Sequence, residues 1–150
     1  MTFSFHALLA DLRAVGEASR LRLLAVLARG EMSVTELTHV LGQSQPRVSR
    51  HLKLLCDAGM LEKFREQHWI YYRVPTEGRG ATLVRALLQG LDPADPTVAD
   101  DAHRVADVLE ERTHPGAVRE ATPHAASNRE LSDVLGAELG DAGRAALFYF

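Results

Sequence analysis

Two short helical periods stand almost end to end in this chain, SVTELTHVLG (residues 33–42) and SQPRVSRHLKLL (residues 44–55), with Gln43 alone between them. In the first, Ser33 precedes Glu36 by three residues, the spacing of a capping box. Val34, Leu37, Val40 and Leu41 form an apolar face that stops at Gly42. In the second, Ser44 can cap the helix, and Pro46 is tolerated in the first turn because an N–H there would lack an intrahelical partner. Val48, Leu52 and Leu55, joined by His51 or Leu54, make the buried stripe. Gln45, Arg47, Ser49, Arg50 and Lys53 are left on or near the other side, and Asp57, Ala58 and Gly59 end the helix.

The flanking segments limit how such a pair can be housed. FSFHALLADLRAV (residues 3–15) spaces Phe5, Leu8, Leu9, Leu12 and Val15 as an amphipathic helix ending near Gly16. EASRLRLLAVLARG repeats the pattern with Leu21, Leu24, Val26, Leu27 and Ala28, and Gly30 offers a stop. Beyond Gly59 the period changes to two: Leu61, Lys63 and Arg65 alternate with Glu62 and Phe64, and Trp69, Tyr71 and Arg73 alternate with Ile70, Tyr72 and Val74. This predicts a hairpin turning around residues 66–68. The turn has no Asn-Gly or other Gly-containing pair, so a longer or mobile tip is expected. After Pro75, GRGATLVRALLQGL predicts another helix, with Leu83, Val84, Leu87, Leu88 and Leu91 inward. The fold class is mainly α with a small β-hairpin (α+β), arranged as a winged helix-turn-helix.

Length and charge fit one small domain with an appendage. Of 150 residues, the first 91 carry 12 Lys and Arg against 8 Asp and Glu, and the last 59 carry 5 against 12. DPADPTVADD, from residue 92, reads as an acidic linker; DAHRVADVLEERTH reads as a helix broken at Pro115 and Gly116. The final ALFYF is an apolar terminus. No run approaches the ~18 apolar residues of a membrane span, and the N-terminus lacks the pattern of a secretion signal, so a cytoplasmic location is expected. Cys56, the single cysteine, can form neither an internal disulfide nor a thiolate metal cage. Ser49 and His51, two apart on a helix, point to different faces and cannot pair for catalysis. His6, His39, His68 and His124 are scattered, and Gly136, Gly140 and Gly143 do not follow a strand as a nucleotide loop would. No enzyme is expected.

A second helix enters the major groove of DNA only if its outer face carries groups for base edges and phosphates while the first helix braces it. Arg47, Arg50 and Lys53 supply charge, Gln45 and Ser49 supply donors and acceptors, and the helix start at residues 44–47 offers free N–H groups to a phosphate. Gln43, Ser44 and His51 complete the set on this helix; Lys63, Arg65, Gln67 and His68 are the candidates on the hairpin. The expected partner is double-stranded DNA.

The stretch GEMSVTELTHVLGQSQPRVSRHLKLLCDAGMLEKFREQHWIYYRV closely resembles the ArsR/SmtB family of bacterial winged-helix repressors, and the likeness runs over roughly residues 5 to 91. It implies a homodimer joined through the first helix and the helix after the wing, reading a palindromic operator and released by an inducer. It implies a DNA-binding and dimerisation domain over 1–91, followed by an acidic extension over 92–150. The family's thiol sensors carry two cysteines where EMSVTEL has Ser33 and Thr35, and hydroxyls do not replace soft thiolates. A second family metal site pairs Asp-x-His with His-x-x-Glu on the C-terminal helix. Asp101, His103 and His114 fall near that pattern, but Ala117 stands where the last carboxylate belongs. The inducer is left unidentified and no cofactor is expected, a zinc-like metal being the weak alternative. One branch of the family is fused to a methyltransferase-like domain, which the body of this chain resembles without containing that domain. The alternatives to a repressor are a protein-interaction module acting through the acidic tail, or a remnant of such a fusion.

Overall fold

The computed structural model describes residues 2–113. Helices α1 (Phe5–Val15) and α2 (Ala18–Leu27) meet at a corner where the Glu17 carboxylate accepts from the backbone N–H of Arg20 and so caps α2. After the short strand β1 (Met32–Ser33) come α3 (Val34–Leu41) and α4 (Gln45–Asp57). The capping box forms: Ser33 N–H donates to Glu36 at 2.8 Å, and the Ser33 hydroxyl accepts from Glu36 N–H at 3.4 Å. Gly42 ends α3 at φ 65°, the left-handed conformation glycine adopts without steric cost. An eight-residue helix has too few internal hydrogen bonds to persist alone, so α3 depends on packing. Leu37 and Val40 of α3 are fully buried, as are Leu23 and Leu24 of α2 and Val48, Leu52 and Leu55 of α4.

The wing is strands β2 (Glu62–Glu66) and β3 (Trp69–Arg73), paired antiparallel from Glu62↔Arg73 to Glu66↔Trp69. Only Gln67 and His68 lie between them. The tip is therefore a two-residue turn and not the longer loop expected, closed by Gln67 at φ 55°. The sheet has a third member: β1 pairs with β3, Met32 opposite Tyr72 and Ser33 opposite Tyr71. Ser33 thus ends a strand and caps a helix at once, anchoring the wing to the start of α3.

Helix α5 (Gly78–Gln89) follows the wing. Gly80 lies so close to the turn ending α4 that a Cβ there would overlap the carbonyl of Gly59. The acidic linker expected from residue 92 is short. Asp95 Oδ1 accepts from the backbone N–H groups of Thr97 and Val98, and α6 runs over Pro96–Thr113 with Asp101, Val105 and Val108 buried. An Asp cap followed by Pro at the first helical position is a helix start, and this overrides the linker reading. The chain divides after Val108 into two units, and the buried Asp101, Val105 and Val108 of α6 belong to the first. Of the second, Leu109 to Thr113 form the end of α6; the break at Pro115 and Gly116, the glycines of LGAELGDAGR and the terminal ALFYF lie outside the described residues.

Candidate nucleic-acid interface

Helix α4 buries one face and exposes the other. Gln45, Arg47, Arg50, Lys53 and Leu54 are exposed, while Val48, Leu52 and Leu55 have no accessible surface. Among the described residues neither Arg47 nor Arg50 is drawn into an ion pair. Lys53 bonds Asp57 one turn on at 3.1 Å; both side chains are well exposed, so the pair is weak and water competes for it. Ser44 occupies the cap position, but its hydroxyl makes no capping hydrogen bond. The hydroxyl and the first N–H groups of α4 are therefore not bonded to each other.

Three candidates on this helix and the turn before it point inward. Ser49 is 6% exposed and its hydroxyl has no hydrogen-bond partner. His51 is 9% exposed and faces the α1–α2 corner, with Nδ1 3.4 Å from Arg20 Nη1 and 3.8 Å from the Glu17 carboxylate. Desolvation, reinforced by the nearby arginines and opposed by Glu17, holds its pKa below the usual histidine value. The ring is thus neutral at pH 7, and Nδ1 accepts from Arg20. Gln43 is half-buried, its amide N–H donating to Ser19 Oγ of α2 at 2.8 Å. Gln43 and His51 thus tie the turn and the helix to α2 and the α1–α2 corner, while Ser49 is buried with its hydroxyl unbonded.

On the wing, Lys63 and Arg65 are exposed and stand opposite Tyr72 and Ile70. Lys63 and Arg65 therefore share the face of the sheet that carries the buried Tyr72. The other face carries Phe64 stacked on Tyr71, with Arg73 over the Phe64 ring at 4.6 Å and bonded to Glu62 at 2.6 Å. Gln67 and His68 form the exposed tip. Trp69 beside them is 57% exposed, a large apolar group that alternation alone did not single out as a contact.

The candidates for other chemistry lead elsewhere. Asp101, a weak metal candidate in the sequence, is buried with both its oxygens held by Arg22. His103 is exposed, His114 is outside the described residues, and no group of three or more His, Cys, Asp or Glu able to hold a metal is found among the described residues. Burial pushes the Cys56 thiol up to about 11, leaving it protonated and poorly nucleophilic.

A short helix braced across a tight turn, a following helix with a cationic outer face, and a wing carrying exposed basic residues define a winged helix-turn-helix protein of the DNA-binding regulator class. The sequence profile of the bacterial regulatory protein arsR family matches residues 18–63. The arsenic resistance transcriptional regulator ArsR1 of Pseudomonas putida is 38% identical over 105 residues, 69% of this chain and 80% of that protein. The biofilm growth-associated repressor of Xylella fastidiosa is 40% identical over 76 residues, 51% of this chain and 66% of its own length. The crystal structure of the transcriptional repressor BigR from Xylella fastidiosa superposes with a TM-score of 0.51 at 34% identity, covering 58% of this chain and 90% of that one. HlyU from Vibrio cholerae gives a TM-score of 0.51 at 28% identity over 59% of this chain and 96% of its own. The chain belongs to the arsR family of bacterial transcriptional regulators, and its helical body with a small three-stranded antiparallel sheet is that of the family's winged-helix repressors.

Proposed function

We propose that this chain is a homodimeric repressor that binds a palindromic operator duplex in the cytoplasm and leaves it when an inducer binds. Gln45, Arg47 and Arg50 read base edges in the major groove, Ser44 and the first N–H groups of α4 hold a phosphate, and Lys53 adds a screened backbone contact. Lys63, Arg65, Gln67 and His68 follow the adjacent backbone or minor groove. The observation that carries this reading is the stripe of exposed Arg47 and Arg50 on a helix whose opposite face is wholly buried. Exposed cations on a rigid helix pair well with guanine edges and phosphates.

The dimer reading has its own support. Phe5 and Leu12 of α1 are 76% and 44% exposed, and an apolar groove lined by Leu12, Val15, Leu21 and Leu87 lies where α1, α2 and α5 meet. Apolar surface of this kind on α1 and α5 suits a two-fold contact, and two-fold symmetry would set the operator's half-sites about one helical turn apart or a multiple of it. The inducer differs in kind from a multi-thiolate metal, since Cys56, half-buried, is the single cysteine of the sequence. No described helix is long and apolar enough to cross a membrane.

Selection of duplexes from a randomised library, followed by titration of the enriched duplex at several salt concentrations, tests the reading. A palindromic winner bound by a dimer, with affinity falling steeply as salt rises, is the expected result. Failure to enrich any duplex would refute it.

A further inference from the structure

Asp101 of α6 is 4% exposed, and both of its oxygens are taken by Arg22 of α2, Oδ1 by Nη2 at 2.7 Å and Oδ2 by Nε at 2.8 Å. Arg104, three residues along α6, reaches Oδ1 at 3.4 Å. Each guanidinium has a second contact. Arg22 Nη2 donates to the carbonyl of Leu41 at 3.3 Å, and Arg104 Nη1 donates to the carbonyl of Val40 at 3.2 Å. Val40 and Leu41 are the last two residues of α3. Carbonyls in a helix's final turn lack intrahelical donors and carry the negative end of its dipole, so cations there are held by hydrogen bonds and by the field together. The next residues are Gly42, Gln43 and the start of α4.

We propose that Asp101, Arg22 and Arg104 form a clamp that fixes the helix-turn-helix from outside it, making Asp101 and Arg104 positioning residues for DNA recognition; this rests on the repressor reading above. The charge balance gives the reason. Two guanidiniums around one carboxylate leave one positive charge in surplus, and the α3 carbonyls accept it. Without the carboxylate the two cations repel each other and move toward water, releasing Val40 and Leu41. Helix α4 then begins from a turn held by the Gln43–Ser19 bond without the two guanidiniums. Bidentate contacts to base edges tolerate little displacement, whereas attraction to phosphates is long-ranged and survives it. The clamp therefore governs discrimination between sequences more than attraction to DNA.

The sign of the effect makes the test decisive. Asp101→Asn adds one positive charge, so if α6 acted through charge alone, every duplex would be bound at least as tightly. The full-length chain is titrated by fluorescence anisotropy against the duplex enriched by the wild type and against a scrambled duplex of the same composition, at one salt concentration and well below the melting temperature. Asp101→Asn is expected to lose about tenfold on the enriched duplex, comparable to one bidentate base contact, with no loss on the scrambled one. Asp101→Glu is expected to regain most of that loss. Arg104→Gln, at a side chain 46% exposed, is expected to narrow the same ratio to a smaller degree, and it decides the matter if Asp101→Asn does not fold. An unchanged ratio of enriched to scrambled affinity in the folded variant overturns the clamp. A wild-type chain that enriches no duplex overturns the repressor reading and the clamp with it.

Discussion

Arg79 of α5 grips the carboxylate of Asp11 on α1, with Nε 2.9 Å from Oδ2 and Nη2 on the same oxygen, while Nη2 also reaches the carbonyl of Ala7. The two partners differ in environment: Asp11 is 5% exposed, whereas the Arg79 side chain is 44% exposed and lies over the Phe3 ring. Removing one side of the pair therefore has unequal consequences. Arg79→Ala strands a buried carboxylate and should cost about 2 to 4 kcal/mol, whereas Asp11→Ala leaves an arginine free to turn to water and should cost about 1 to 2 kcal/mol. Urea unfolding of both variants measures the difference. Equal losses would show that the carboxylate is better solvated than its burial implies.

Arg50→Ala should weaken binding to the enriched duplex by about 1 to 3 kcal/mol, roughly 5- to 150-fold, if its guanidinium makes a bidentate base contact. Arg50 is exposed and carries no ion pair among the described residues, so the melting temperature should stay within a degree or two, as surface substitutions usually leave it. Wild-type affinity in this variant removes Arg50 from the contact surface. A comparable loss on scrambled duplexes would assign it to a phosphate instead.

What could be read from the sequence was mostly what local chemistry decides. The Ser33 and Glu36 capping box, the Gly42 stop and the Val48, Leu52, Leu55 stripe are each settled within a few residues, and each appears where the spacing puts it. The strand at Met32 and Ser33 was not legible, because two residues show no alternation and their partners Tyr71 and Tyr72 lie about 40 positions away. Asp95-Pro96 carried a helix-start signal that the surrounding acidic residues hid. On α4, the exposure of Arg47 and Arg50 follows from the spacing, but Ser49 and His51 sit at the edges of the buried arc. Helical periodicity alone does not say which way an edge residue turns; packing against the α1–α2 corner decides it for His51. Nothing in SRLRLL points from Arg22 to a carboxylate 79 positions on.

Trp69 is the chain's single tryptophan, so its fluorescence reports on the wing alone. With 57% of its surface exposed beside the Gln67 and His68 tip, it should be readily quenched by acrylamide in the free protein. Binding the enriched duplex should lower that accessibility if the wing lies against DNA, because apolar side chains at groove surfaces lose water contact. Trp69→Ala should change stability by about 0.5 kcal/mol or less. Unchanged quenching in the saturated complex would show that the wing tip stands clear of the duplex.

His51 should make folding stability depend on mild acid. Desolvation lowers its pKa in the folded chain, with Arg20 facing the ring and Arg47 and Arg50 on its own helix acting in the same direction and Glu17 opposing them. The unfolded chain therefore binds a proton near pH 6.5 that the folded chain resists. The stabilisation from the neutral ring is complete above that pH and is lost progressively as pH falls from about 6.5 toward the lower folded value. Glu17 contributes separately and later: burial raises its pKa, but the backbone N–H groups of Arg20 and Ser19 and the neighbouring His51 outweigh that, so its contribution holds above the ordinary carboxylate range and fades below it. Thermal unfolding of the wild type at closely spaced pH values between 5 and 7.5, a window bracketing the free imidazole value, should show a falling melting temperature toward acid. His51→Gln should flatten that slope while leaving the decline below the carboxylate range in place. A wild-type slope that persists unchanged in His51→Gln would assign the titration to another group and leave the contact between α4 and the α1–α2 corner insensitive to protons.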